Sequence, residues 1–131
     1  MLIVQVSPEN LSEALSSLTE KLGIKHLSTI TGQDLGEGIS LDYQFSIPNH
    51  IVAIRTIVPK TGLKIESCIT TLPGAILYEM EIHDMFGVSF QGNPWMDRKL
   101  LLPDNYPADM PPPLLKTTSS EKIRKAVGVE K

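Results

Sequence analysis

At 131 residues, 41% hydrophobic and 21% charged, the chain has the make-up of one soluble globular domain with a modest core. A net charge of −3 gives no electrostatic footprint for nucleic acid, and no apolar run approaches the roughly 20 residues that span a bilayer. The single cysteine, Cys68, excludes an internal disulfide framework and fits a reducing compartment. Residues 1–6 carry neither a basic n-region nor the length of a signal peptide, so a cytoplasmic location is the base expectation.

Taken in chain order, residues 2–6 read as a short strand. Ser7 is a plausible N-cap, followed by Pro8 at the first helical position and Glu9 in the first turn. Leu11, Leu15, Leu18 and Leu22 draw one apolar stripe, and Gly23 stands where a C-terminal cap belongs. Residues 24–32 suggest a weaker strand, closed by a turn-rich stretch over 33–38. Ile39, Leu41, Tyr43, Phe45 and Ile47 then alternate with Ser40, Asp42, Gln44 and Ser46, the period-two pattern of a strand with one buried face. Pro48, Asn49 and His50 mark a turn, and 51–58 the returning strand. Sequential strands joined by tight turns predict an α+β fold, an antiparallel sheet with helices packed on one face.

Beyond the turn at 59–62 the texture changes. Ser67 could cap a short helical turn, and Pro73-Gly74 could open a helix that carries Glu79, Glu81, His83 and Asp84 among Ile76, Leu77, Met80, Ile82, Met85 and Phe86. At 100° per residue, Glu81 and Asp84 fall on one side with Leu77, and Glu79 and His83 on another with Phe86. Charges set into an apolar surface are costly unless paired, so this helix is built to meet something polar. After Gly87 no helical or strand period persists. Six of the ten prolines, at 94, 103, 107, 111, 112 and 113, lie in this last third beside Phe90, Trp95, Leu101 and Tyr106, which predicts an extended tail laid along another surface. The expected division is an α+β domain over 1–87 and a docking tail over 88–131.

Three chemistries are open to the acidic helix. Glu79 and His83, spaced i, i+4, could ligate a metal, but His26, His50 and Cys68 supply no further ligand at a suitable spacing. A carboxylate pair using Glu81, His83 or Asp84 could act as acid and base in a small stand-alone enzyme, although no nucleophile motif or phosphate-cradling loop accompanies it. The third reading has the carboxylates holding arginines or backbone amides at a contact surface, with Arg98 the nearest basic candidate. Trp95 and Phe90, without interleaved basic residues, read as packing anchors rather than as a nucleic-acid stacking platform.

The run Ser67, Pro73, Ala75, Glu79, Glu81, Asp84, Phe86-Gly87-Val88, Phe90, Gly92, Pro94 and then Arg98-Lys99-Leu100-Leu101-Leu102-Pro103-Asp104 resembles the family of the C subunit of respiratory complex I. That family is also called the thirty-kilodalton subunit of NADH dehydrogenase, and it includes counterparts in energy-converting nickel–iron hydrogenases. The resemblance implies a non-catalytic, peripheral subunit that braces the large catalytic subunit, hydrogenase-like or quinone-site. Cluster-bearing small subunits would be further partners, with membrane contact only through the complex, on the inner face of the cell membrane. It implies no cofactor in this chain. Iron–sulfur clusters, and nickel in a hydrogenase, would belong to partner chains. It assigns contacts with other subunits to Glu79, Glu81, Asp84 and Arg98 as polar groups and to Phe90, Trp95, Leu101 and Tyr106 as apolar anchors, with no catalytic or metal-binding residue.

The chain departs from the family pattern at Met80, where the family usually has arginine, and at Asn93, where it usually has histidine. One extra residue stands between Pro94 and Arg98, and the closing pattern is reduced to Pro113-Leu114-Leu115-Lys116-Thr117. The short chain and eroded ending favour the compact hydrogenase versions over an NADH dehydrogenase subunit. With arginines missing, partners for the carboxylates would come from a neighbouring subunit.

Overall fold

The computed structural model describes residues 1–24, 26–98, 102 and 112–115. Leu101 and Tyr106, two of the expected anchors, lie outside the described residues. Strand β1 (Leu2–Gln5) leads through a 3₁₀ turn (Pro8–Asn10) into helix α1 (Leu11–Leu22). The helix expected to start after Ser7 therefore opens as a tighter turn, in which Asn10 N–H donates to Ser7 O at 3.0 Å, and Asn10 is the N-cap of α1 itself. Gly23 ends α1 with φ of 64°, a left-handed conformation that costs glycine nothing. Leu11 and Leu15 are buried, whereas Leu22, last in the stripe, stays exposed.

Strands β2 (Thr29–Asp34), β3 (Gly38–Ile47) and β4 (His50–Pro59) form the expected antiparallel meander. Strand β1 joins β4 in parallel, giving a four-stranded sheet in the order β1-β4-β3-β2. Strand β2 begins and ends later than its sequence suggested. Asp34, in register with Ile39, takes Gly36 N–H at 2.8 Å and Lys60 Nζ at 2.9 Å and so closes the turn beyond the strand.

Alternation along β3 does what its period requires. Ile39, Leu41, Tyr43 and Phe45 pair with Val58, Thr56, Ile54 and Val52, and all of these are buried on one face. Both helices cover that face. Helix α1 faces β1 and β4 across an open apolar cleft of about 300 Å³ lined by Leu18, Val4, Val52 and Ile54. Helix α2 (Ala75–Phe86) crosses β2 at Gly32, where an added Cβ would stand 2.7 Å from Phe86 Cε2. On the opposite face Asp42 and Arg55, also in register, form a two-point ion pair at 2.7 and 2.8 Å. Its half-exposed setting makes this a minor contributor to stability.

A second, two-stranded parallel sheet pairs β5 (Lys64–Glu66) with β6 (Ser89–Gln91). Strand β6 lies in the stretch where no period was expected, since three residues are too few to show one. Val88 and Phe90 are buried in the common core, so that core continues past the boundary drawn at residue 87. The described part of the tail returns to the end of α2. Leu114 N–H donates to Met85 O at 2.9 Å, Pro112 packs against Gly87, and Leu115 lies against the core.

The contact at Gly32 leaves no room for a side chain. Gly32→Ala is expected to destabilise the fold by about 1–3 kcal/mol through displacement of Phe86. Thermal melting checks this, and an unchanged midpoint would mean that α2 is not seated on β2 as described.

Candidate functional site

Helix α2 carries the acidic motif, and its groups divide sharply by environment. Glu79 is 0% exposed. Its Oε1 accepts from Ser67 Oγ at 2.6 Å and from Asn93 Nδ2 at 2.9 Å, while Oε2 accepts from Cys68 N–H at 2.9 Å. One carboxylate thus joins the residues leaving β5, the middle of α2 and the residues leaving β6. Three donors, one of them a main-chain amide, are the arrangement that makes a buried carboxylate tolerable. Ser67 Oγ also accepts from Ile69 N–H at 3.2 Å, so the expected capping role and the bond to Glu79 coexist on one hydroxyl.

Two further titratable groups face this carboxylate. Burial pushes the Cys68 thiol well above its ordinary 9.0, and the charge of Glu79 and a hydrogen bond to it act in the same direction. Burial, followed by Cys68 and Glu79, raises Tyr43 well above 10.0. The Tyr43 hydroxyl has no hydrogen-bond partner among the described residues, and neither does Thr56 Oγ1.

The other expected contact residues differ in their surroundings. Asp84 is buried, and its Oδ2 accepts from Leu102 N–H at 3.5 Å. Phe90 is a core residue whose N–H points to Met96 Sδ at 3.3 Å. Glu81 is exposed. Trp95 and Arg98 are exposed together, with Arg98 Cζ 5.3 Å from the indole centroid. Of the set, then, Glu79, Asp84 and Phe90 point into this chain's own fold, while Glu81, Trp95 and Arg98 point outward.

Glu79, expected to make a polar contact with another subunit, here takes its three hydrogen bonds from its own chain. The Phe86 side of α2 is the buried side, and it carries Glu79 inward with it. Arg98, expected to serve the carboxylates, instead stacks on Trp95. His83, expected as a possible metal-ligand partner of Glu79, donates from Nδ1 to Val88 O at 2.9 Å just past the Gly87 cap. Among the described residues no three of His, Cys, Asp and Glu gather closely enough to hold a metal ion. Asn93, noticed in the sequence only as a departure from the family, is the residue that reasoning from types missed. Besides Glu79 it donates to Ile76 O at 3.3 Å, and its Oδ1 accepts from Trp95 N–H at 2.9 Å.

Glu79→Ala would strand the donors of Ser67, Cys68 and Asn93 in the interior. A loss of about 3 kcal/mol or more is expected on denaturant melting, far above that of Glu81→Ala on the exposed side. The raised Cys68 pKa also fixes a pH dependence. Below pH 9.0 the thiol is protonated in both states; above it the unfolded chain releases a proton that the folded chain keeps. Stability should therefore fall as pH rises through that value, by up to about 1.4 kcal/mol per pH unit. Denaturant melts across this range should show the decline, and Cys68→Ala should flatten its first part before Tyr43 contributes near 10.0.

Comparison with known proteins fits this architecture. The chain is 27% identical over 115 residues to NAD(P)H-quinone oxidoreductase subunit J of Prochlorococcus marinus, covering 79% of this chain and 65% of that one. It is 24% identical over 110 residues to the C subunit of F(420)H(2) dehydrogenase of Methanosarcina mazei, covering 81% and 69%. The chain thus spans only about two thirds of the length of these relatives. In structure it is similar to a chain of the membrane-bound sulfane sulfur reductase, an archaeal respiratory membrane complex, with a TM-score of 0.84 at 22% identity over 98% of this chain and 78% of that one. A trypsin-resistant fragment of Nqo5 gives a TM-score of 0.62 at 23% identity over 70% and 80%. The model of the respiratory-chain NADH dehydrogenase 30 Kd subunit matches residues 4–123, and the chain belongs to that family.

Proposed function

We propose that this chain is a non-catalytic structural subunit of a complex-I-like, membrane-associated oxidoreductase, where it braces the large catalytic subunit. Membership of the 30 Kd family across residues 4–123 carries this reading. Two structural observations support it. The most deeply buried carboxylate of the motif is consumed in holding its own fold together, so it is not free for acid–base chemistry. An aromatic and a cationic side chain are instead presented at the surface. No helix among the described residues is long and apolar enough to cross a membrane, which fits attachment through other subunits.

Within that reading, an energy-converting nickel–iron hydrogenase is the proposed complex, supported by the departure of residues 113–117 from the family's closing pattern. Iron–sulfur clusters and nickel would reside in partner chains. A quinone oxidoreductase is the second reading, favoured by the name of the Prochlorococcus relative. The remainder of the tail would act as a docking element on the large subunit.

Affinity purification of the tagged chain from mild-detergent membranes, with mass spectrometry of the co-purifying proteins, tests the proposal. A nickel–iron large subunit with cluster-bearing small subunits is the expected companion set. Quinone-linked subunits would keep the structural role and change the complex. A chain recovered alone, as a stable monomer, would overturn the role.

A further inference from the structure

We propose that Trp95 and Arg98 form a pre-set receptor for an aspartate or glutamate side chain of the partner subunit, positioned from the interior by Glu79 through Asn93. The proposal rests on the structural-subunit reading above and deepens it by naming what the partner presents. Arg98 lies over the Trp95 ring at 5.3 Å, and it forms no salt bridge among the described residues. Stacking on an indole leaves the charge of a guanidinium intact and its N–H edge available, the geometry that suits a carboxylate at two points. The indole meanwhile offers an apolar surface beside that charge, which lowers the local dielectric once a partner covers it. Charge complementarity therefore calls for an acidic group set in an apolar patch.

The pair is also held, not merely adjacent. Glu79 Oε1 accepts from Asn93 Nδ2, Asn93 Oδ1 accepts from Trp95 N–H, and Trp95 O accepts from Arg98 N–H at 3.1 Å. These bonds, joined through the Trp95 backbone, run from a fully buried carboxylate to the main-chain amide of the residue that carries the exposed cation. Fixing the backbone at 93, 95 and 98 removes much of the ordering cost that a surface arginine meets on binding. Asn93 and Glu79 are positioning residues in this scheme, and Trp95 and Arg98 make the contact.

The test uses the full chain in its complex, recovered from mild-detergent membranes. Arg98→Gln should lower partner recovery about tenfold at moderate salt, with Arg98→Lys intermediate because an ammonium lacks the fork. Both variants should melt as the wild type does when isolated, since the side chain is exposed. Arg98→Lys also permits zero-length carbodiimide coupling, and mass spectrometry should find position 98 joined to an Asp or Glu side chain of another subunit, a product absent from the wild type. Trp95 is the only tryptophan, so its emission in the isolated chain reports on the loop directly. Asn93→Ala should shift that emission and reduce recovery, whereas Asn93→Gln should restore part of both.

Arg98→Gln recovering partners as well as the wild type at every salt would overturn the receptor and leave the structural role standing. Coupling of position 98 only within its own chain would do the same. So would Arg98-dependent binding of the chain to phosphatidylglycerol vesicles without any loss of partner recovery. A wild-type chain that recovers no partner would overturn both proposals together.

Discussion

Everything on the α2 side of the molecule depends on one buried carboxylate. Strands β5 and β6 are three residues each and could not persist as an isolated pair. Glu79 makes them permanent, because the residues that leave both strands donate to the same two oxygen atoms. A lone charge in this position would be prohibitively costly, and three donors without the charge would be nearly as bad. Each therefore requires the other, and the mutual requirement fixes the relative placement of the small sheet, the helix and the 93–98 loop to within hydrogen-bond tolerance.

The large sheet is held by a different force. Its inner face is a continuous apolar layer under α1 and α2, and it carries two interior hydroxyls, on Tyr43 and Thr56, that find no acceptor among the described residues. Hydrophobic burial there is extensive enough to absorb that cost. The polar precision of the molecule is concentrated instead where α2 meets the second sheet. A tolerant apolar half supports an exacting polar half, and the outward-facing Trp95 and Arg98 belong to the latter.

Much of this was legible from the chain itself. Strict alternation over 39–47 located β3 and its buried face, the leucine stripe located α1, and Gly23 and Gly87 marked both helix ends, where they do adopt left-handed backbone. Period and capping are local signals, so they survive reading in one dimension. The fate of Glu79 is not local. Its helical face was readable, but whether that face met solvent, a partner or its own chain depended on β5 and β6, whose three-residue strands have no detectable period. The parallel pairing of β1 with β4 was hidden for a related reason, since it joins segments about fifty residues apart with a helix and two strands between them. The family motif brought Asn93 to notice as an irregularity. Only geometry gives it a job.

Strand β1 has a consequence for the order of events at the ribosome. Its residues are made well before their partners, so each must wait for its neighbour, Leu2 for Val52 and Val4 for Ile54. At a synthesis rate of roughly 5–20 residues per second, the nascent strand stays unpaired for seconds, a long interval beside the microseconds in which a hairpin closes. The antiparallel β2–β3–β4 meander is contiguous and can form as soon as it emerges. The first strand of the large sheet to be translated is thus the last to be enrolled, and in that interval the unpaired sequence Leu2-Ile3-Val4 calls for a chaperone's cover.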